Sequence, residues 1–232
     1  MIMALSGEGA ICIWNDITPE GEADFYAWHI EEHMPERVGI PGFTRGRRYV
    51  AGDEATSPRF FTLYETVTVE VAVGQDYLNR LNAPTAWTKR ATQGFRNTFR
   101  ALTRVKASFG QGPGGVLATL RMTLPSDGRD VLSHKLAVEV LPNLARGAMI
   151  TGVHLCMTDV AASAGRTEET KGRDDIQVPP DTVLLIEGCQ LDAVEAAARA
   201  CVQAADLTGA RAPAIGLYRH EYTRLKTAWA AG

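Results

Sequence analysis

Thr62-Leu63-Tyr64-Glu65 and Leu184-Leu185-Ile186-Glu187 hold matching places in two successive stretches of this chain. Around them the match extends to Met34-Pro35 with Pro41-Gly42-Phe43, and to Leu141-Pro142 with Thr151-Gly152-Val153. Each Leu-centred tetrad reads as a strand, and each Xaa-Pro pair closes an amphipathic run that proline cannot extend far. Outward from the first tetrad, residues 10–14 (AICIW) read as a short apolar strand. Thr18 can cap a helix with Pro19 and Glu20 in its first turn, running to about Met34. Residues 42–50 and 59–67 read as strands separated by a turn over 51–58 (AGDEATSP). A helical region over 71–96, broken around 82–84, and a strand over 98–108 complete the stretch.

The order is β-α-β-β-α-β, the split pattern of a ferredoxin-like unit. Residues 110–115 (GQGPGG) read as a flexible linker, after which the order recurs. Strands are expected over 116–124, 150–158, 182–188 and 214–223, with helices over 130–144 and 192–205. Residues 159–181, polar and charged, read as a mobile loop. The expected fold class is α+β: a unit over 1–109, a linker over 110–115 and a diverged unit over 116–232. Each unit has one sheet face under its helices and one bare apolar face. Packing the bare faces sheet to sheet gives an α/β barrel within one chain.

With 232 residues, 45% of them hydrophobic and 22% charged, the chain can bury a substantial core. A net charge of −3 argues against a nucleic-acid partner held by a broad basic surface. Cys12, Cys156, Cys189 and Cys201 contain no C-x-x-C pair, so neither a zinc ribbon nor a disulfide framework is indicated. No apolar run reaches the ~18 residues of a membrane span, and residues 1–15 lack a basic targeting region. The expectation is a cytoplasmic protein without membrane or nucleic-acid partners.

On a helical wheel, Ala23, Tyr26, Ala27, Ile30 and Met34 form the expected core stripe, with His33 at its edge. His29 lies further round, and Asp24, Trp28, Glu31 and Glu32 are expected to face away. An imidazole at a core boundary can reach a cavity and still exchange protons. Arg45 and Arg47 share one face of the next strand, with Arg48 on the other. His29-Ile30-Glu31-Glu32-His33 also fits H-x-x-E-H, the inverted zinc-protease signature. That pattern fixes only three positions on a charge-rich helix and lacks an evident third ligand, so no metal is assigned.

The stretch Phe25-Tyr26-Ala27-Trp28-His29-Ile30-Glu31-Glu32-His33-Met34-Pro35, followed by Ile40-Pro41-Gly42-Phe43 and Arg47-Arg48-Tyr49, resembles the EthD-like and related dimeric α/β-barrel families. The resemblance covers most of residues 10–108 and only faintly 116–225. It implies a cavity between the first helix and the sheet, with His33 as its leading polar group and no cofactor. The related families include small-molecule monooxygenases, lactone isomerases and polyketide cyclases; isomerisation, cyclisation, decarboxylation and oxygen insertion all stay open, since each needs a shaped cavity with one proton-transfer group. The counterparts of His33 and His29 in the second unit are Val140 and Leu136, so one histidine-bearing cavity is expected.

On this reading His33 is the acid or base, Tyr64 orients or polarises an oxygen, and Arg47 or Arg45 holds an anionic group. His29, Trp14, Trp87 and Phe95 are candidates for the substrate wall. For each there is a plainer reading: a solvated histidine, a strand face paired with acidic neighbours, ordinary aromatic packing. Tyr218, His220 and Tyr222 alternate onto one face of the last strand, as a second polar lining or as a solvent edge. The alternative to an enzyme is a non-catalytic ligand-binding or stress-response protein of the same architecture; a metal or haem protein built on His29 or His33 ranks below both. The expected partner is a small organic molecule, anionic if the arginines serve the pocket. Homo-oligomers are open, although the tandem chain can complete the barrel alone.

Overall fold

The computed structural model describes residues 4–124, 127–207 and 212–226. The outer limits expected for the two units, 1 and 232, lie outside the described residues. The first half contains β1 (Gly9–Ile17), α1 (Glu22–Trp28), α2 (Met34–Gly39), β2 (Phe43–Ala51), β3 (Phe60–Thr66), α3 (Gln75–Asn82), α4 (Ala86–Ala91) and β4 (Phe95–Gly110). The second contains β5 (Val116–Met122), α5 (Arg129–Lys135), α6 (Leu141–Leu144), β6 (Ile150–Thr158), α7 (Val160–Ser163), β7 (Thr182–Gly188), α8 (Leu191–Ala204) and β8 (Ala214–Leu225).

The eight strands form one closed antiparallel barrel in the order β1-β3-β2-β8-β5-β7-β6-β4. Each half thus contributes the ferredoxin-like order 4-1-3-2. The sheets do more than face each other: β2 pairs with β8 and β4 with β6, so hydrogen bonds join both seams and no edge is left open. The 16-residue β4 extends past the expected strand to reach its partner. The glycine stretch after it is pinned as well: Gln111 N–H donates to Thr151 O at 2.8 Å and Gly114 N–H to Glu187 Oε2 at 3.1 Å.

Inside the barrel, Trp14, Tyr49, Phe61, Leu63 and Tyr218 pack against Leu117, Val183 and Leu185. A charged chain runs through this core. Arg47, 1% exposed, donates to both oxygens of Glu187 at 2.6 and 3.0 Å and lies 2.9 Å from Glu65. The paired glutamates are the matching residues of the two tetrads, so the repeat meets itself across this arginine. His154 lies 3.3 Å from Glu187 and 2.9 Å from Ser108 Oγ, which in turn accepts from the backbone N–H groups of Ala4 and Leu5. Leu5 packs into the same inner cluster.

The first helix departs from its wheel. Between α1 and α2, His29–His33 forms a π-helical turn in which Met34 N–H donates to His29 O. Pro35 follows directly: it has no N–H to donate, and its ring crowds the carbonyl one turn back. The second unit repeats the device, with a π turn over Leu136–Val140, Leu141 N–H donating to Leu136 O, and Pro142 next. A π turn inserts one residue into the helical register. A continuous α-helix burying Phe25 and His29 would turn Glu32 and Glu36 inward. The insertion brings His33 and Arg37 inward in their place.

The expected stripe is therefore overturned. Ile30 is 41% exposed and Ala23 is exposed, whereas Phe25 and Trp28 are each 1% exposed. The two largest aromatic rings outweigh the small alanines in deciding which face is buried. The last strand departs as well. A bulge between His220 and Tyr222 turns Tyr222 out towards the helices of the first unit, while Tyr218 points into the barrel and donates to Pro58 O at 2.8 Å. Tyr218, His220 and Tyr222 do not share one face.

Candidate functional site

The layer between helices and sheet differs between the halves. In the second unit it is a single apolar cluster in which Leu136, Val140 and Ile186 pack with Val194 and Ala198 of α8. In the first unit it divides into one cluster around Met34, Tyr64 and Tyr77 and another around Phe25, Trp28 and Phe95. Between them lies a cavity of about 300 Å3, at the small end of the range for ligand pockets. By strand register and helix position, Leu136, Val140 and Ile186 are the counterparts of His29, His33 and Tyr64. Three polar residues line the cavity where the other half has hydrocarbon.

The floor is the outer sheet face, with Ile13, Thr62, Tyr64 and Arg100. His29, His33 and Arg37 line it from the first helix, and Tyr77 and Leu81 from α3. Residues 159–181 of the second unit cross the first and cover the opening. This segment is a strap with fixed anchors rather than the expected mobile loop. Ser163 Oγ accepts from Leu102 N–H at 2.9 Å, Glu169 N–H donates to Leu81 O at 3.0 Å, and Ile176 bridges to Thr98. Asp175 accepts from Thr98 Oγ1 and from Arg173.

The histidine rings of His29 and His33 stack with centroids 5.5 Å apart and planes at 22°. Trp28 packs beside both rings, 4.2 Å from His33 and 5.8 Å from His29 between centroids. The Trp28 indole N–H donates to Glu32 Oε1 and Thr88 Oγ1, both at 3.2 Å, and Thr85 Oγ1 also donates to Glu32 at 2.6 Å. Glu32 thereby fixes the wall from behind and does not line the cavity. Burial lowers the His33 pKa well below its ordinary value, reinforced by Arg37 and His29. Burial and Arg48 lower that of His29. Both imidazoles are neutral at pH 7. Burial pushes the Tyr64 phenol well above its usual range, only partly offset by Arg37, so it keeps its proton. His33 Nδ1 and Tyr64 Oη are buried without a hydrogen-bond partner among the described residues, and their rings are 6.3 Å apart.

His29, His33, Tyr64 and Phe95 thus meet at one cavity. Arg47, Arg45 and Trp14 do not, because they stand on the opposite face of the sheet. Arg47 is held by the two buried glutamates, Arg45 Nε donates to Glu65 at 2.6 Å, and Trp14 Nε1 donates to Thr119 at 3.2 Å inside the barrel. Trp87 lies between α1 and α4, donating to Asp24 at 2.9 Å, and does not line the cavity. The cavity arginines are Arg37, Arg100, Arg166 and Arg173. Arg37 could have been found by carrying the His33 face one turn through Pro35. The strap arginines carried no sequence signal.

The inverted zinc-protease reading does not fit these residues. Its glutamate is turned outward, and the Arg48 guanidinium lies 3.4 Å from His29 Nδ1, where a cation already opposes a second one. Among the described residues no cluster of three or more His, Cys, Asp or Glu forms a metal site. No described helix is long and apolar enough to cross a membrane.

No family model matches the sequence, and no curated protein is similar to it. Solved structures are similar in fold. An anthrone oxidase-like protein superposes with a TM-score of 0.63 at 13% identity, covering 100% of this chain and 99% of that one. A protein described as a monooxygenase from Lactobacillus acidophilus gives 0.57 at 9% identity, over 94% and 97%. One described as a chlorite dismutase gives 0.52 at 11%, over 93% and 95%. The likeness is one of fold. It extends to the mixed α+β fold with a closed barrel of eight antiparallel strands and does not single out the EthD-like group.

Proposed function

We propose that this chain is a cofactor-independent enzyme acting on a small, largely apolar organic molecule, with His33 as its proton-transfer group. The observation that carries the reading is that His33 and Tyr64, whose Nδ1 and Oη are buried without a hydrogen-bond partner among the described residues, both line a cavity whose counterpart in the other half is filled with hydrocarbon. A neutral imidazole can accept a proton from a carbon beside a carbonyl or from a hydroxyl, and return it elsewhere on the same skeleton. Tyr64, holding its proton, can donate to the oxygen on which charge develops. The aromatic wall and the strap exclude water, which strengthens both interactions. Isomerisation and aldol-type cyclisation begin with this step, and decarboxylation ends with its reverse, protonation of the carbanion left when CO2 departs. The names of the similar structures agree with small-molecule chemistry on this scaffold, and the residues above supply the argument for this chain.

The test is α-proton exchange in D2O over a panel of enolisable aryl ketones, followed by NMR. The wild-type chain is expected to accelerate exchange of at least one of them. His33→Ala is expected to lose about 10²- to 10⁴-fold of that acceleration, and Tyr64→Phe a smaller share. Exchange no faster than in buffer, or full activity in a folded His33→Ala protein, defeats the reading.

A further inference from the structure

The four cavity arginines are not equivalent. Arg37 is paired with Glu36 at 2.8 Å and with Glu169. Arg173 is paired with Asp175 at 2.7 Å and also donates to Thr98. Arg100 has no carboxylate and no hydrogen-bond partner among the described residues. Its Nε is buried, and its guanidinium carbon lies 5.7 Å from the Tyr77 ring centroid. Arg166 also lacks a carboxylate among the described residues, but it is exposed on the strap. Arg100 as a whole is half-buried, so its guanidinium is partly withdrawn from water, and without a counter-charge it gains from an anion that meets it.

Sheet register fixes where such an anion would lie. Ile13 of β1 faces Arg100 of β4 on one side and Thr62 of β3 on the other, and Tyr64 follows Thr62 by two residues on the same face. At ~4.8 Å between strands and ~3.4 Å per residue, the backbones of Arg100 and Tyr64 are about 12 Å apart. Ile13 lies between them on the sheet. Both side chains line the cavity, whose aromatic residues Phe25, Trp28, Tyr77 and Phe95 suit a flat carbon skeleton.

We propose that Arg100 is the anion-binding residue of the cavity, and that the molecules it takes are flat, apolar and carry a carboxylate at the end remote from His33 and Tyr64. The planar guanidinium fork matches a carboxylate in two hydrogen bonds. This rests on reading the cavity as a small-molecule site, and it adds the substrate class. It also replaces Arg47 and Arg45, which cannot serve the cavity because their charge is committed inside the barrel.

The test compares two probes of nearly equal shape, 2-naphthoate and 2-naphthamide, titrated into the full chain by calorimetry. Naphthoate is expected to bind at least about tenfold more tightly than the amide, the range for a hydrogen bond to a charged group. Arg100→Gln should erase that preference while leaving amide affinity within about threefold, and Arg100→Lys should retain part of it. Arg166→Gln should leave it intact. The inference is overturned if acid and amide bind alike, if neither binds at millimolar concentration, if Arg100→Gln weakens both equally, or if Arg166→Gln removes the preference. Proton exchange plays no part in this assay, so an inert His33 would sink the enzyme reading and leave the anion site standing.

Discussion

Replacing Arg47 by methionine probes the core of the barrel. The arginine is 1% exposed between Glu65 and Glu187, which are 0% and 1% exposed. Removing it leaves two buried carboxylates with reduced compensation: Arg45 and Ser6 still reach Glu65, and His154 and Gly114 N–H still reach Glu187. Breaking a buried ion pair from one side costs about 3–5 kcal/mol. For a chain of this size that corresponds to a Tm lower by about 6–20 °C. In the native protein, burial pushes the Glu187 carboxyl up, but Arg47 and His154 outweigh it and hold the group well below the usual carboxylate range. Glu65 is also held low, burial again being outweighed, by Arg47 and Arg45. Stability from these depressed carboxylates is present above their unfolded pKa of about 4.3 and is lost as pH falls from there towards the folded values. In Arg47→Met burial dominates, the folded pKa of Glu187 rises above the unfolded one, and protonation relieves the variant as pH drops below neutral. Urea denaturation at pH 7.5 and 5 should therefore show a deficit that shrinks with acid. Adding Glu187→Gln to Arg47→Met should recover about half of it. A deficit under about 1 kcal/mol, or one indifferent to pH, would show that the arginine does not carry the charge balance of the core.

The double change His29→Leu, His33→Val copies Leu136 and Val140 of the second unit and should abolish proton exchange without loss of stability at pH 7.5. Because both folded histidine pKa values are lowered, native stability falls as pH drops from about 6.5 towards those values, and urea midpoints of the double variant should not show that decline. Gly46→Ala would place its Cβ 2.9 Å from Met34 Sδ and from the Tyr64 ring; a cost of about 1–3 kcal/mol and a displaced phenol, with reduced exchange activity, are expected. Asp175→Ala should free the strap, giving limited proteolysis within residues 159–181 while the barrel resists; a strap as resistant as wild type would mean that Thr98 does not anchor it through the Asp175 side chain.

The comparison of sequence and fold divides along the range of the forces involved. The repeated strand-helix order was legible because period-two and period-3.6 patterning is a local property, and the paired tetrads ending in Glu65 and Glu187 marked equivalent strands. Strand alternation placed Arg45 and Arg47 together on one face, away from Arg48. It could not say whether that face looked into the barrel or towards the helix, since both sheet faces are buried in this architecture. The candidate site was half legible: His33, His29, Tyr64 and Phe95 come together at one cavity, while Trp14, Trp87, Arg45 and Arg47 belong to other contacts.

By itself the sequence determined the tandem α+β architecture, the helix that bears the histidines and the hydrocarbon character of the equivalent helix in the second half. These follow from patterning, from proline and from side-chain polarity, all of which act within a few residues. Only the tertiary structure decided which way His33 points, because the π turn before Pro35 changes the helical register by one residue and a uniform wheel has no place for it. Only it brought residues 159–181 across the first unit's cavity and left Arg100 there without a counter-ion among the described residues. Those outcomes depend on closing the barrel through β2–β8 and β4–β6, contacts between residues far apart in the chain whose pairing energy leaves no local trace.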